Sequence, residues 1–237
     1  MHACPVAFRH TDRMKKGDSD MKSRAGFTLV EIAILLVIIT LLLGGILKGK
    51  EMVTQSKIKK VIEEFSKISA AYYGYQDRYQ ANPGDDPNAA KHWAGAASGN
   101  GDGKVEGAYN AECPSSAKVG APESCLWWDD LRRAGFQVAG NGAKQPRNSF
   151  GGIIGVQTGN GSNGSALGGM TGLIVCSTNI PDKVAIEVDR RLDDGRIGSG
   201  TIRGEVQTKP NPDISSDAAS TAYAESGGNT YTLCRLL

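Results

Sequence analysis

Glu31 is the only ionisable side chain in the 21 residues from Phe27 to Leu47. A lone carboxylate at the centre of a bilayer costs about 2.5–3.5 kcal/mol or more, and less near the edge, so such groups are rare and tend to meet a counter-charge. The chemistry it offers is charge pairing inside hydrocarbon; the plain alternative is a side chain that snorkels to the interface. A second candidate lies in the stretch SGNGDGKVEG, residues 98–107. Asn100, Asp102 and Glu106 there are candidate calcium ligands, and Asp85 and Asp86 are near enough in sequence to add oxygens. An EF-hand loop would end in Glu at its twelfth position, which here is Tyr109, and a run of Asn-Gly and Asp-Gly turns is the competing reading. Asp193 and Asp194 form a further acidic pair at the C-terminal end of an expected helix, the wrong end of the dipole for carboxylates. Charge balance by Arg190, Arg191 or Arg196 is favoured there over a second oxygen site. His92, Trp93, Trp127 and Trp128 suit either a ligand groove or core packing, and a glycine-rich domain needs large side chains for its core. No nucleophile stands at a motif spacing from a base, and His92 lacks a GxSxG partner, so the chain is expected not to be an enzyme.

The elements that must position these groups follow from periodicity. The 21 residues from Phe27 to Leu47 would rise about 30 Å as a helix, the thickness of a bilayer core. A secretory signal has a shorter apolar region and a small-residue cleavage site after it; here Ala25-Gly26 comes before. Beyond the span, Ile58, Val61, Ile62, Phe65, Ile68, Tyr72, Tyr75 and Tyr79 recur at spacings of three and four, with lysines and glutamates opposite. This predicts one helix from Phe27 to about Gln80, lipid-facing first and amphipathic after, ended by Asn82-Pro83-Gly84. Gly44, Gly45 and Gly49 are expected to loosen it between the halves.

After Pro83 the texture turns glycine-rich: the chain has 31 glycines, clustered between residues 95 and 172. PESCLWWDDLRRAG reads as a short helix with Leu126, Trp127, Leu131 and Ala134 inward, and NIPDKVAIEVDRRLDDG as another, with Val184, Val188 and Leu192 on one face. NSFGGIIGVQT, GGMTGLIVCST, GTIRGEVQT and TYTLCRLL read as strands, with residues 159–169 a hairpin connection and 208–230 a loop. A net charge of +2 gives no case for nucleic acid.

Six basic residues before the span and five soon after it do not decide orientation. Cysteine does more. Cys113, Cys125, Cys176 and Cys234 follow the span, with no CxxC pair among them, and suit two disulfides in an oxidising compartment with three pairings open. This favours a cytoplasmic N-terminus and an exported C-terminal domain. Cys4 stands apart, before the span.

The stretch from Lys22 to Glu31, KSRAGFTLVE, resembles the cleavage and methylation motif of type IV prepilins and type II secretion pseudopilins. The match holds at every position from Gly26 to Glu31, and the resemblance covers residues 22–80, a quarter of the chain. The residues before Met21 depart from the usual short leader; Met14 and Met21 are alternative starts. The resemblance implies a prepilin peptidase that cuts between Gly26 and Phe27 and N-methylates Phe27. It implies subunits that stack by their helices on an inner-membrane assembly platform, into a homo- or hetero-filament. Glu31 would then pair with the Phe27 amine of a neighbour. Glycine at 26 lets a peptidase approach the backbone closely, and Lys22 and Arg24 hold the leader on the cytoplasmic side.

The implied architecture is α+β and pilin-like: a long N-terminal helix packed on a small antiparallel-sheet head with two disulfides. Its parts are a cleaved cytoplasmic leader at 1–26, a transmembrane half-helix at 27–47, an amphipathic half at 48–80, and a periplasmic or extracellular head at 81–237. Cys113–Cys125 is favoured because it closes a short loop. Cys176–Cys234 is favoured because it ties the last strand to a central one, as the C-terminal disulfide of many pilins does. The expected role is a structural subunit of a pilus or secretion pseudopilus. The alternative is a minor or tip subunit acting as an adhesin or binding module. Some pseudopilins bind calcium in a head loop, which keeps that ion a candidate cofactor.

Overall fold

The computed structural model describes residues 26–159, 164–214, 219–220, 222–224 and 226–237. Residues 1–25, with Cys4, Met14, Met21, Lys22 and Arg24, lie outside them. Contacts divide the chain into two units that meet in sequence at Lys48 and Gly49.

The first unit is built on the start of helix α1, which runs from Leu29 to Tyr79. Every residue from Gly26 to Val53 is exposed. Its most apolar 18-residue window has a mean hydropathy of 2.8 and none of it is buried. This is one helix near the N-terminus that is long and apolar enough to cross a membrane. Gly44, Gly45 and Gly49 lie within it, and the helix is continuous across them, as the single-helix reading expects. Each costs about 1 kcal/mol relative to alanine, too little to break a helix so rich in leucine, isoleucine and lysine. Gln80 closes the helix in the left-handed conformation, at φ 54°, and Pro83 follows.

In the second unit the apolar stripe of α1 is buried through Ile58, Val61, Phe65, Ile68, Tyr72 and Tyr75. It belongs to one core with Trp127, Trp128 and Leu131 of helix α3 (Glu123–Arg133) and Val184, Ala185 and Val188 of helix α4 (Asp182–Leu192). A short turn of helix, α2 (Ala89–His92), lies between α1 and α3 in sequence. The same core takes Ile154 and Val156 from strand β1 (Ile154–Thr158), Val175 and Ile180 from β4 (Leu173–Pro181), and Tyr231 and Leu233 from β6 (Thr230–Leu236). These strands, with β5 (Ile202–Val206), form one antiparallel sheet in the order β1-β4-β6-β5. Because strand side chains alternate, Ile174, Cys176 and Cys234 fall in a second, smaller cluster with Tyr109, Leu167 and Met170. A small hairpin pairs β2 (Ser165–Ala166), inside the expected connection at 159–169, with β3 (Met170–Thr171), at the start of the stretch expected to be one strand.

Two further readings need correction. Helix α3 is buried at every position from Glu123 to Leu131, not along one face, so Trp128, Asp129 and Asp130 are interior as well. Strand β4 runs through Asn179 and Ile180 to Pro181, and α4 begins at Asp182.

Cys113 bonds Cys125 and Cys176 bonds Cys234. The second pair sits directly opposite across β4 and β6, with Cα atoms 4.0 Å apart. Closing loops of 12 and 58 residues contributes about 3 and about 4 kcal/mol through the unfolded chain.

Both sheet edges are covered by the chain itself. On β1, the Ile154 N–H donates to the Pro146 carbonyl and the Thr158 N–H to that of Val105. On β5, the Gly204 N–H donates to the Ile197 carbonyl, the Ser220 N–H to the Gly204 carbonyl, and the Val206 N–H to Ser220 Oγ. Among the described residues these bonds occupy edge positions that another strand would otherwise use.

Candidate functional site

The N-terminal group is local and complete. Gly26, Phe27 and Thr28 precede the helix and are exposed. The Thr28 carbonyl accepts the Ile32 N–H, so Thr28 is the N-cap of α1. The Glu31 N–H donates to Thr28 Oγ1, and the Thr28 N–H donates back to Glu31 Oε2, each at 3.2 Å. The Thr28 hydroxyl also lies 3.2 Å from Glu31 Oε2. This is a capping box, Thr-x-x-Glu, with two orphan donors of the first turn satisfied reciprocally. The carboxylate also sits at the positive end of the helix dipole. Within the single chain, then, Glu31 is neither stranded in the apolar run nor aimed away from it. It is fastened to the residue that follows Phe27. The Thr-x-x-Glu spacing at residues 28–31 is the sequence signal for this, and the charge of Glu31 alone does not reveal it.

Asn100, Asp102 and Glu106 are not drawn together as a ligand set. The Asn100 side-chain oxygen accepts the Asp102 N–H, and Asp102 Oδ1 accepts the Lys104 N–H, so both are spent on turns of their own loop. The loop instead aims its backbone donors at two buried carboxylates. Gly101 and Asp102 donate to Asp85 Oδ1 at 2.6 and 3.1 Å, and Gly103 donates to Oδ2 at 2.9 Å. Asn100 and Glu106 donate their N–H groups to the two oxygens of Glu123 at 2.9 and 3.0 Å. Gly101 and Gly103 adopt positive φ to turn these groups inward. A calcium loop presents oxygens to a cation; this one presents N–H groups to carboxylates of the same chain. Burial pushes the Asp85 and Glu123 carboxyls above the usual range even against those donors. Asp85→Ala is expected to cost roughly 2 kcal/mol by orphaning three donors, and to speed hydrogen exchange at Gly101, Asp102 and Gly103 ahead of the sheet amides.

Next to this loop the interior is acidic. Asp86 Oδ2 accepts the Tyr75 hydroxyl at 2.9 Å and lies 3.6 Å from His92 Nε2. Asp130 Oδ2 accepts the Gly84 N–H at 2.7 Å, while its Oδ1 has no hydrogen-bond partner. Burial, then the neighbouring Asp86 and Asp129, push Asp130 up to about 7 against the pull of the Gly84 N–H and Arg133. Arg133 is spent on Asp129, at 2.5 Å. Trp127 and Trp128 are fully buried, with ring centroids 4.7 Å apart, and form core, whereas His92 and Trp93 flank Tyr79 nearer the surface.

Asp193 and Asp194, with Asp189, offer carboxylate oxygens within 4.8 Å of one another. The compensation expected from Arg190, Arg191 and Arg196 side chains takes another form. Asp189 accepts the Gly195 N–H and the Tyr223 hydroxyl, Asp193 the Ile202 N–H, and Asp194 the Arg196 N–H and the Ser199 hydroxyl. Arg191 pairs instead with Glu187 and Gln55. The trio folds the loop between α4 and β5.

Comparison with protein families, with curated proteins and with solved structures returns no match for this chain.

Proposed function

We propose that this chain is a filament subunit of the type IV pilus or type II secretion pseudopilus class. In this reading it is cut by a prepilin peptidase between Gly26 and Phe27 and N-methylated on Phe27. It starts as a single-pass inner-membrane protein with its N-terminus cytoplasmic and its disulfide-bonded head on the far side. It then assembles on an inner-membrane platform by packing α1 against other subunits. The pilin-like description of the α+β layout belongs to the same proposal.

The observation that carries it is the first turn of α1. An exposed Gly26-Phe27 bond lies immediately before a capped helix start, and the one carboxylate of a fully exposed apolar run is held within that first turn. An exposed apolar helix of this length needs lipid or other helices around it. Cutting at Phe27 would create an ammonium beside that carboxylate. In a stack, the Glu31 of one subunit and the amine of the next cancel two charges that hydrocarbon penalises, and wrong registers leave both unpaired.

Mass spectrometry of the membrane-extracted protein tests processing: the expected N-terminus is N-methylated Phe27, and an intact leader overturns the reading. Two substitutions then separate cap from charge. Glu31→Ala removes both, whereas Glu31→Gln keeps a side chain that can serve the capping box. Both variants are expected to be cleaved normally and to fail to enter filaments. Normal incorporation of Glu31→Gln would show that the charge is dispensable.

A further inference from the structure

The end of α1 and the loops after it enclose an open pocket of about 480 Å³. One wall is the ring of Tyr79. It is braced by Tyr75, His92 and Trp93, at centroid distances of 4.6, 4.9 and 5.2 Å. The Tyr79 hydroxyl has no hydrogen-bond partner among the described residues.

Much of the remaining lining consists of amides held on one side by the chain. Gln76 Nε2 donates to the Tyr72 hydroxyl and to Asn82 Oδ1, each at 2.8 Å. Gln80 Nε2 donates to the Gln76 and Asp77 carbonyls, and Asn82 Nδ2 to the carbonyl of Gly103. Asn88 Oδ1 accepts from Lys91 Nζ. The opposite ends of Gln76, Gln80 and Asn88, two acceptors and one donor group, carry no bond among the described residues. Asp85 also lines the pocket, with its charge already met by three backbone N–H groups.

This lining selects by elimination. No lysine or arginine lines the pocket, and Lys91 beside it is engaged by Asn88 Oδ1, so an anion finds no free counter-charge there. A cation finds the one carboxylate engaged. A hydrocarbon would strip water from amides and give nothing back. A neutral, hydroxyl-rich ring meets none of these penalties. Its C–H face can lie on the tyrosine, and its hydroxyls can donate to the glutamine oxygens and accept from Tyr79 and Asn88. The lining groups are already fixed by their other bonds, so little ordering remains to oppose binding. We infer that this pocket binds a neutral saccharide of one or two rings, with Tyr79 as the stacking platform. The inference stands apart from the filament reading and does not depend on it.

The test uses the full chain in lipid nanodiscs and saturation-transfer NMR. The probes are glucose, galactose, mannose, N-acetylglucosamine, cellobiose and N,N′-diacetylchitobiose, with sialic acid as the anionic comparator. The expected result is transfer to the ring C–H protons of at least one neutral sugar and none to sialic acid. Asn88→Ala, at an exposed position, is expected to weaken that binding several-fold, and Tyr79→Ala by about tenfold or more. Tyr79→Phe keeps the braced ring and guards against misfolding of the alanine variant: it should retain stacking and lose only the hydroxyl contact, a several-fold change. Absence of transfer from every neutral sugar overturns the inference. So does transfer that is unchanged in both Tyr79→Ala and Asn88→Ala, or transfer from sialic acid alone.

Discussion

Gly155→Ala is expected to destabilise the head by roughly 4 kcal/mol or more, an exceptional loss for one methyl group. Gly155 is the second residue of β1, paired with Cys176 and buried. A Cβ there would stand 1.9 Å from the Tyr109 carbonyl oxygen and 2.7 Å from its carbon. Relief requires one backbone to move. Neither is free to do so: β1 is held by β4, and Tyr109 is pinned at both ends. Its N–H donates to Gln157 Oε1 at 3.0 Å, and its hydroxyl donates to the Pro212 carbonyl. Gly172→Ala is the control. Gly172 has φ 98°, but its nearest neighbour would be 3.8 Å away, so only backbone strain of about 1 kcal/mol applies. Thermal unfolding followed by circular dichroism should rank the parent, Gly172→Ala and Gly155→Ala in that order, with the last far below. Equal melting of parent and Gly155→Ala would mean that Tyr109 does not lie against β1.

Asp130 carries the second large effect, and its sign is opposite to that of a salt-bridged aspartate. Its carboxyl is pushed from an ordinary value of 3.8 up to about 7. The native state therefore binds a proton that the unfolded chain has released, and stability falls as pH rises through that interval. Below the unfolded value both states are protonated and nothing is lost; above about 7 the full cost is in place. Three pH units at 1.36 kcal/mol each set that cost at up to about 4 kcal/mol. Asp130→Asn keeps an acceptor for the Gly84 N–H and removes the charge. Its urea midpoint is expected to exceed the parent's clearly near pH 8 and by less than half as much near pH 5. Glu64, also pushed up to about 7 by burial, leaves a residual slope in the same direction, which Glu64→Gln should reduce further. A parent that gains stability from about pH 5 to pH 8 would refute the assignment.

Elements with a clean period were readable from sequence. Ile58 to Tyr75 recur at helical spacing and are buried on one stripe, and TYTLCRLL alternates and forms β6. Polar residues were harder. Glu123, Asp129 and Asp130 look like the outer face of α3, yet all are buried, because their partners include N–H groups of Gly84, Asn100 and Glu106 that only tertiary folding supplies. The loop at 98–107 misled for the same reason. Its turns were legible, but whether it surrounds a cation or a carboxylate depends on Asp85, which lies well upstream and carries no local mark of that role. Thr28 and Glu31 stand at the opposite extreme, since the whole capping box lies within four residues.

The covered edges of the sheet bear on crowding. Under the proposed filament reading, copies of this head meet at high local concentration, and an open strand would template neighbours into an unbroken cross-β ribbon. Here Ile197, Ser220, Val105 and Pro146 occupy the backbone positions such a ribbon would use. Contacts between copies of this head at these edges are therefore left to side chains. Contacts of that kind form and release one by one, and a substitution at the surface can retune them without disturbing the sheet beneath.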